Sequence, residues 1–246
     1  MKVILGCAGY GTRLSNNITN GLPKHLLKIN DKPLIDFTLE KLDNVPEVME
    51  IYLVTNNLFF NLFKEYLDSR NFKKQIHLIN NGTNKPEERL GTVGDILKVI
   101  EDEKINDDVG IFFPDNLHNF KLRNMISKFL ELKAPLLVCY DVKDKKIAKT
   151  LGVVKVNDDV ITELKEKPEN PESTLASIGI YLFPKHLLHK FKEYKEEGNN
   201  LDRMGDFNSW IVGREKVFSY VYGEAYKWFD IGTEFTYNEA IKSWTT

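Results

Sequence analysis

Cysteine is nearly missing from this chain: 246 residues hold two, Cys7 and Cys139, both in apolar runs. That argues against a disulfide framework and predicts reduced core thiols in a cytoplasmic protein. A dominant charge is missing too. Thirty-four basic residues face 36 acidic ones, for a net charge of −2, too little for a broad nucleic-acid footprint. No apolar run approaches the ~20 residues that cross a bilayer. The first, Val3-Ile4-Leu5, is too short for a signal peptide and leads directly into glycines, so neither a leader nor membrane contact is expected. Internal repeats, low-complexity tracts and a Ser/Gly/Pro-rich linker are also absent.

What is present is a chain of 42% hydrophobic residues, enough for a sizeable core in one large α/β domain or two small ones. Strand-like runs at 3–5, 51–55, 75–79, 109–113 and 136–140 alternate with helix-periodic segments at 33–42, 58–68, 91–101 and 122–132. This rhythm predicts a Rossmann-like, mixed but mostly parallel sheet with helices on both faces. From Lys143 the rhythm changes. Short strands at 152–156 and 160–163 flank a turn at Asn157-Asp158. A further strand at 177–183, helices at 184–194 and 203–212, a late strand at 216–222 and a closing helix at 234–244 follow. We expect one domain over residues 1–246, with lobes at 1–140 and 141–246.

The organising stretch is residues 1–24. The first strand delivers a glycine-rich turn, Gly6-Cys7-Ala8-Gly9-Tyr10-Gly11-Thr12-Arg13-Leu14, and the segment closes on Pro23-Lys24. Such turns present main-chain N–H groups to oxyanions, and Arg13 and Lys24 add the cations most used on phosphates. It is not a dinucleotide fingerprint, because Leu14 stands where a third glycine belongs. It is not a P-loop, because Thr12-Arg13 stand where Lys and Ser/Thr belong. An ordinary strand-to-helix turn with a surface arginine is the plainer alternative.

Further along, Asp115 and Asn116 follow the strand at 109–113, and Asp230 lies in Trp228-Phe-Asp-Ile-Gly-Thr233. Each aspartate alone reads as a turn or cap residue. Leu90-Gly91-Thr92-Val93-Gly94-Asp95 reads as a glycine-softened helix start, and Glu163–Lys167 as a charged face. Residues 201–210 read as a helix capped near Asp202 with Phe207 and Trp210 packed inward. His25, His77 and His118 lack metal-ligand spacing.

Taken together, these segments resemble the sugar-phosphate nucleotidylyltransferases, the NDP-sugar pyrophosphorylases, including glucose-1-phosphate thymidylyltransferase-like members. The A-G-x-G-T-R-L turn, P-K, L-G-T-x-G, G-V-V at 152–154, E-K-P at 166–168 and W-x-D-I-G-T all have counterparts, from Val3 to about Ala240. Pro114 replaces the family glycine before the first aspartate, Ser177 a common asparagine, and Gly6-Cys7 the usual Leu-Ala. The loop Ser15–Leu22 is one residue longer than in close relatives and lacks their proline.

The resemblance implies NTP plus sugar 1-phosphate giving NDP-sugar and pyrophosphate. Arg13 and Lys24 would be catalytic, and Ala8, Gly9, Gly11, Thr12, Gly91 and Thr92 nucleotide-binding. Asn116, Gly152, Glu166, Lys167 and Ser177 would bind the sugar phosphate, and Asp115 and Asp230 would hold Mg²⁺. dTTP or UTP with glucose 1-phosphate is the first expectation. GTP with mannose 1-phosphate, cytidylyl transfer to another phosphomonoester and a non-catalytic NDP-sugar-binding subunit are the alternatives. Self-association into a homo-oligomer stays open.

Overall fold

The computed structural model describes residues 1–244, the side chain of Asn16 excepted. In β1 (Lys2–Gly6), Val3, Ile4 and Leu5 are fully buried; Val3 and Leu5 join one core layer and Ile4 the opposite one. A strand apolar on both sides needs both sheet faces covered, and each such side chain contributes roughly 1.5–3 kcal/mol on burial. The chain then makes one short helical turn, α1 (Asn16–Thr19), and a small hairpin of β2 (Lys28–Ile29) and β3 (Lys32–Pro33). That hairpin turns through Asn30 and Asp31, both at positive φ. It takes Pro33 out of the expected helix, which starts later as α2 (Asp36–Asp43).

β4 (Glu50–Thr55), α3 (Phe60–Asp68), β5 (Gln75–Asn80), α4 (Thr92–Asp102) and β6 (Val109–Phe112) follow. The order β5-β4-β1-β6 is parallel throughout, as the alternation predicts. A three-residue strand, β7 (Asn116–His118), precedes α5 (Leu122–Leu132), β8 (Leu136–Asp141) and the short α6 (Lys145–Ala148). Beyond it, β9 (Gly152–Asn157) and β10 (Val160–Glu166) form the expected hairpin. Its turn falls one residue later than expected: Asp158 and Asp159 both take positive φ, as a two-residue hairpin loop requires.

The expectation of a mostly parallel sheet fails at β11 (Leu175–Phe183), which runs antiparallel to β6, β8 and β9. After α7 (His189–Glu196) and α8 (Met204–Val212), β12 (Phe218–Tyr222) joins β8 in parallel and β10 antiparallel. Strand order is β5-β4-β1-β6-β11-β8-β12-β10-β9, and the β9–β11 pairing closes the last five strands on themselves. The direction reverses at the short β9–β10 hairpin, and β11 keeps the direction of β10, each running antiparallel to β9.

Helices lie on both faces. α2, α3 and α5 pack their Leu39, Phe63 and Phe129 into one layer. α4, α7 and α8 pack Ile96, Phe191 and Phe207 into the other. Cys7 and Cys139 are free and buried. The last strand, β13 (Trp228–Asp230), leaves the large sheet and pairs antiparallel with β7, before α9 (Glu234–Ser243) closes the chain.

Candidate active site

The carboxyl ends of the parallel strands converge on one side of the sheet, where ligands bind in open α/β folds. β1 releases the glycine turn there. Asn56, just past β4, donates its amide to Ala8 O at 2.9 Å, and Tyr10 donates its hydroxyl to Thr83 Oγ1, past β5, at 2.8 Å. Gly11 sits at φ +68. Leu14 is buried and anchors the far end, while Thr12 and Arg13 stay exposed. A cleft of about 400 Å³ opens over this turn, lined by Ala8, Gly9, Gly11, Thr12, Arg13, Lys24, Gly91 and Thr92 among others.

A second cleft of about 230 Å³ adjoins it, lined by Asp115, Asn116, Gly152, Glu166, Lys167, Ser177 and Asp230 among others. Arg13, Thr92, Lys167 and Arg203 border both. Every site residue expected from the sequence therefore lines one of two touching clefts. Each cleft draws on both 1–140 and 141–246: Phe113, Asp115 and Asn116 line the second beside Gly152 and Glu166, and Lys167 and Arg203 line the first beside Gly9 and Lys24.

The β7–β13 ribbon carries the acidic centre. Asp230 pairs with Asn116, and Ile231 N–H donates to Asp115 O at 2.8 Å. Asp115 meets the Lys24 ammonium through Oδ2 and accepts from Asn116 Nδ2 at 3.1 Å through Oδ1. Burial works most strongly against the Asp115 carboxylate, but Lys24, His25 and Asn116 together outweigh it and keep its pKa below the ordinary range. Asp230 goes the other way. Burial first, and the neighbouring Asp115 charge second, push it up, with Lys24, Arg13 and Lys167 offsetting part. The Arg13 guanidinium lies over Gly232, both terminal nitrogens 3.5 Å from where a side chain there would begin.

Asn116 lines the cleft, yet its amide is committed to the protein. Oδ1 accepts from Trp228 Nε1 at 2.8 Å and from Gly179 N–H at 3.4 Å, while Nδ2 holds Asp115. It acts here as a positioning residue for the carboxylate. Ser177, on β11, is buried with its hydroxyl unpartnered. Glu166 ends β10 in the second cleft; burial first raises its pKa. Gly205 of α8 makes room for it, since a Cβ there would fall 1.8 Å from Glu166 Oε2. Lys167, at φ +47, turns back from the strand and places its ammonium 3.9 Å from Glu166 Oε1.

Sequence reasoning missed several lining groups. The stretch at 201–210 does not cap its own helix with Asp202. Its backbone caps α4 instead: Thr92 donates N–H and Oγ1 to Asp202 O, and Val93 N–H to Leu201 O at 2.9 Å. Gly91 is required at this junction. Its φ is +80, and a Cβ would lie 2.4 Å from Leu201 O. The Asp202 carboxylate binds Arg89 through two bonds, 3.1 and 2.8 Å. Arg203, between the clefts, has no ion-pair partner among the described residues. The stretch at 201–210 stood out in the sequence only as a capped helix, because the contacts that place it at the cleft run across about a hundred residues.

The donor set suits a hard divalent cation. Among the described residues no group of three or more His, Cys, Asp or Glu side chains could hold a metal alone. Two facing carboxylates whose mutual repulsion needs a counter-charge match Mg²⁺, which often binds one or two carboxylates plus substrate phosphates. Among the described residues, no helix is long and apolar enough to cross a membrane.

Known proteins resemble this chain along nearly its whole length. The family model described as nucleotidyl transferase matches residues 1–246. The chain is 29% identical over 246 residues to the bifunctional protein GlmU of Methanocaldococcus jannaschii, covering 98% of this chain but 54% of that protein. It is 27% identical over 250 residues to the UTP–glucose-1-phosphate uridylyltransferase of Synechocystis, covering 98% and 63%. The chain thus spans only about half to two thirds of these relatives' lengths. A crystal structure of UDP-glucose pyrophosphorylase complexed with UDP-glucose superposes with a TM-score of 0.80 at 22% identity, covering 98% of this chain and 97% of that one, and shares its fold. The match of the family model along residues 1–246 decides the matter: the chain belongs to the nucleotidyl transferase family.

Proposed function

We propose that this chain transfers a nucleotidyl group from an NTP to a sugar 1-phosphate, releasing pyrophosphate. The observation that carries this reading is the meeting of two clefts at Arg13, Thr92, Lys167 and Arg203, beside Asp115 and Asp230. Two substrates that must react in line need two adjoining sites and concentrated positive charge at their junction.

In this reading the larger cleft holds the NTP. The turn at Ala8, Gly9, Gly11 and Thr12 lies along the triphosphate, and Gly91 and Thr92 lie beside the nucleoside. The sugar phosphate sits in the smaller cleft, with Gly152, Glu166 and Ser177 toward the hydroxyls and Lys167 on its phosphate. A phosphate oxygen of the sugar attacks the α-phosphorus, and pyrophosphate leaves on the opposite side. Arg13 neutralises the leaving group, and Lys24 the charge at the α-phosphate. Asp115 and Asp230 would hold Mg²⁺, which supplies charge neutralisation at the transferred group when bound. Lys24 then shifts its ammonium from Asp115 toward the phosphate.

In this reading residues 1–246 are one domain, with a nucleotide lobe at 1–140 and a sugar-phosphate lobe at 141–246, each lending residues to the other's cleft. Among the alternatives, cytidylyl transfer to a quaternary-ammonium phosphomonoester needs an aromatic cage. The smaller cleft offers Phe113 and Tyr181 beside three cations, Arg13, Lys167 and Arg203, which favours a sugar. A coupled pyrophosphate-release screen of five nucleotides against glucose, mannose and other sugar 1-phosphates, with and without EDTA, tests the reading. Release that depends on both substrates and on divalent metal is expected. No release with any pair leaves a non-catalytic binding subunit as the better reading.

A further inference from the structure

The larger cleft has two chemically different ends. Arg13, Lys167 and Arg203 belong to its junction with the smaller cleft, whereas Tyr10, Pro86, Arg89 and Asp95 line the larger cleft alone. Asp95 stands out there. It lies in the first turn of α4, an acidic group in a cleft that otherwise suits polyanions. It has no ion-pair partner among the described residues, and Arg89 is committed to Asp202.

Its orientation is fixed by a hydrogen-bond chain. Asp95 Oδ1 accepts from Asn81 Nδ2 at 2.8 Å. Asn81 Oδ1 accepts from Thr83 N–H at 2.9 Å and Thr83 Oγ1 at 2.8 Å, and Thr83 Oγ1 accepts from Tyr10 at 2.8 Å. Asn81 and Thr83 are both buried. The chain ties the carboxylate to the glycine turn and leaves Oδ2 without a donor among the described residues. Burial raises its pKa to about 6, so at neutral pH the carboxylate is kept ionised at a cost.

We infer that Asp95 reads the nucleobase and selects guanine, accepting from its N1–H and 2-amino groups. This rests on the nucleotide reading above and departs from the pyrimidine expectation. An ionised carboxylate only accepts. Guanine presents two adjacent donors on one edge, which a carboxylate meets with two bonds. Uracil and thymine present one N–H between two carbonyls, which would face the carboxylate's charge. Adenine and cytosine present one amino group beside a bare ring nitrogen. A site built to accept two bonds rejects a base that cannot give them.

Calorimetric titration of the chain with the Mg²⁺ complexes of GTP, ITP, UTP and ATP tests this. ITP lacks only the 2-amino group. Wild type is expected to bind GTP about 10- to 100-fold more tightly than ITP, the range of one hydrogen bond to a charged group. In Asp95→Asn the gap should close to within about threefold, with UTP little changed. Tightest binding by UTP or ATP, equal binding of GTP and ITP by the wild type, or equal weakening of all four nucleotides in the variant would each overturn the assignment. The last would put the carboxylate on ribose or on Asn81 alone. The GTP–ITP comparison needs no variant to fold. Pyrophosphate release with sugar 1-phosphates reads the reaction separately. Guanine-selective binding without release removes the transfer reading and leaves Asp95's role standing, while release fastest with UTP does the reverse.

Discussion

Lys24 and Asp115, 91 residues apart, meet as an ion pair whose side chains are only 13% and 16% exposed. Asp230 faces the same centre without such a partner among the described residues. The two carboxylates are thus alike in expected role and opposite in energetic standing.

Asp115→Asn and Asp230→Asn should each lower kcat by at least about 100-fold, since charge placed at a developing phosphoryl transition state is worth several kcal/mol. Their stabilities should diverge in the metal-free protein. Asp115→Asn strands the Lys24 ammonium and should lower Tm. Asp230→Asn relieves buried repulsion and should raise it. Thermal melts in EDTA beside steady-state rates in Mg²⁺ check both, and a variant with full turnover contradicts the metal assignment.

Lys24→Ala should reduce kcat strongly, because its charge is needed most as bonds change. Lys167→Ala should chiefly raise KM for the sugar phosphate. Initial rates with each substrate varied separately distinguish them. Weaker NTP binding in Lys167→Ala with an unchanged sugar-phosphate KM would reverse the placement of the substrates.

Asp95→Asn should stabilise the fold at pH 7.5 by on the order of 1–3 kcal/mol. With the folded pKa raised to about 6 from 3.8, the native state binds more protons than the unfolded chain between these values. Wild-type stability therefore falls as pH rises through that window and stays reduced above it. The variant's advantage should be full above pH 6 and fade toward pH 4. Urea midpoints across pH 4–8 measure it, and an advantage independent of pH would point to packing instead.

The segment from Leu14 to Lys24 holds one short helical turn and joins two cations expected on the same triphosphate. Ligand should therefore order it. Hydrogen exchange of residues 14–24 should slow when NTP and Mg²⁺ are added, whereas equal protection would mean a preformed wall.

The glycine turn was legible in the sequence as a local signal, an apolar run meeting glycines, and Asp115 followed a readable strand, whereas Asp230 stood out only through the family resemblance of Trp228–Thr233. The β7–β13 ribbon that brings Asp115 and Asp230 together was not, since three-residue strands carry no readable period. β11 looked like any apolar run, and direction is not written in composition. Asp202 reads as a helix cap locally, yet its carboxylate goes to Arg89 and its carbonyl to Thr92. The Tyr10–Thr83–Asn81–Asp95 chain was invisible for the same reason, being made of side chains from two separate loops and the first turn of α4.

The β7–β13 ribbon also sets when the site can exist. Trp228 and Asn116 lie 112 residues apart and meet through a side-chain hydrogen bond. During synthesis the parallel strands and the glycine turn are finished while residues beyond β6 are still being added. At that stage the acidic centre has one carboxylate and no ribbon to hold it. A growing chain can fold its β5-β4-β1-β6 half early, but it brings Asp115 and Asp230 together only when its last strand emerges, so the proposed reaction centre is complete only when the fold is nearly closed.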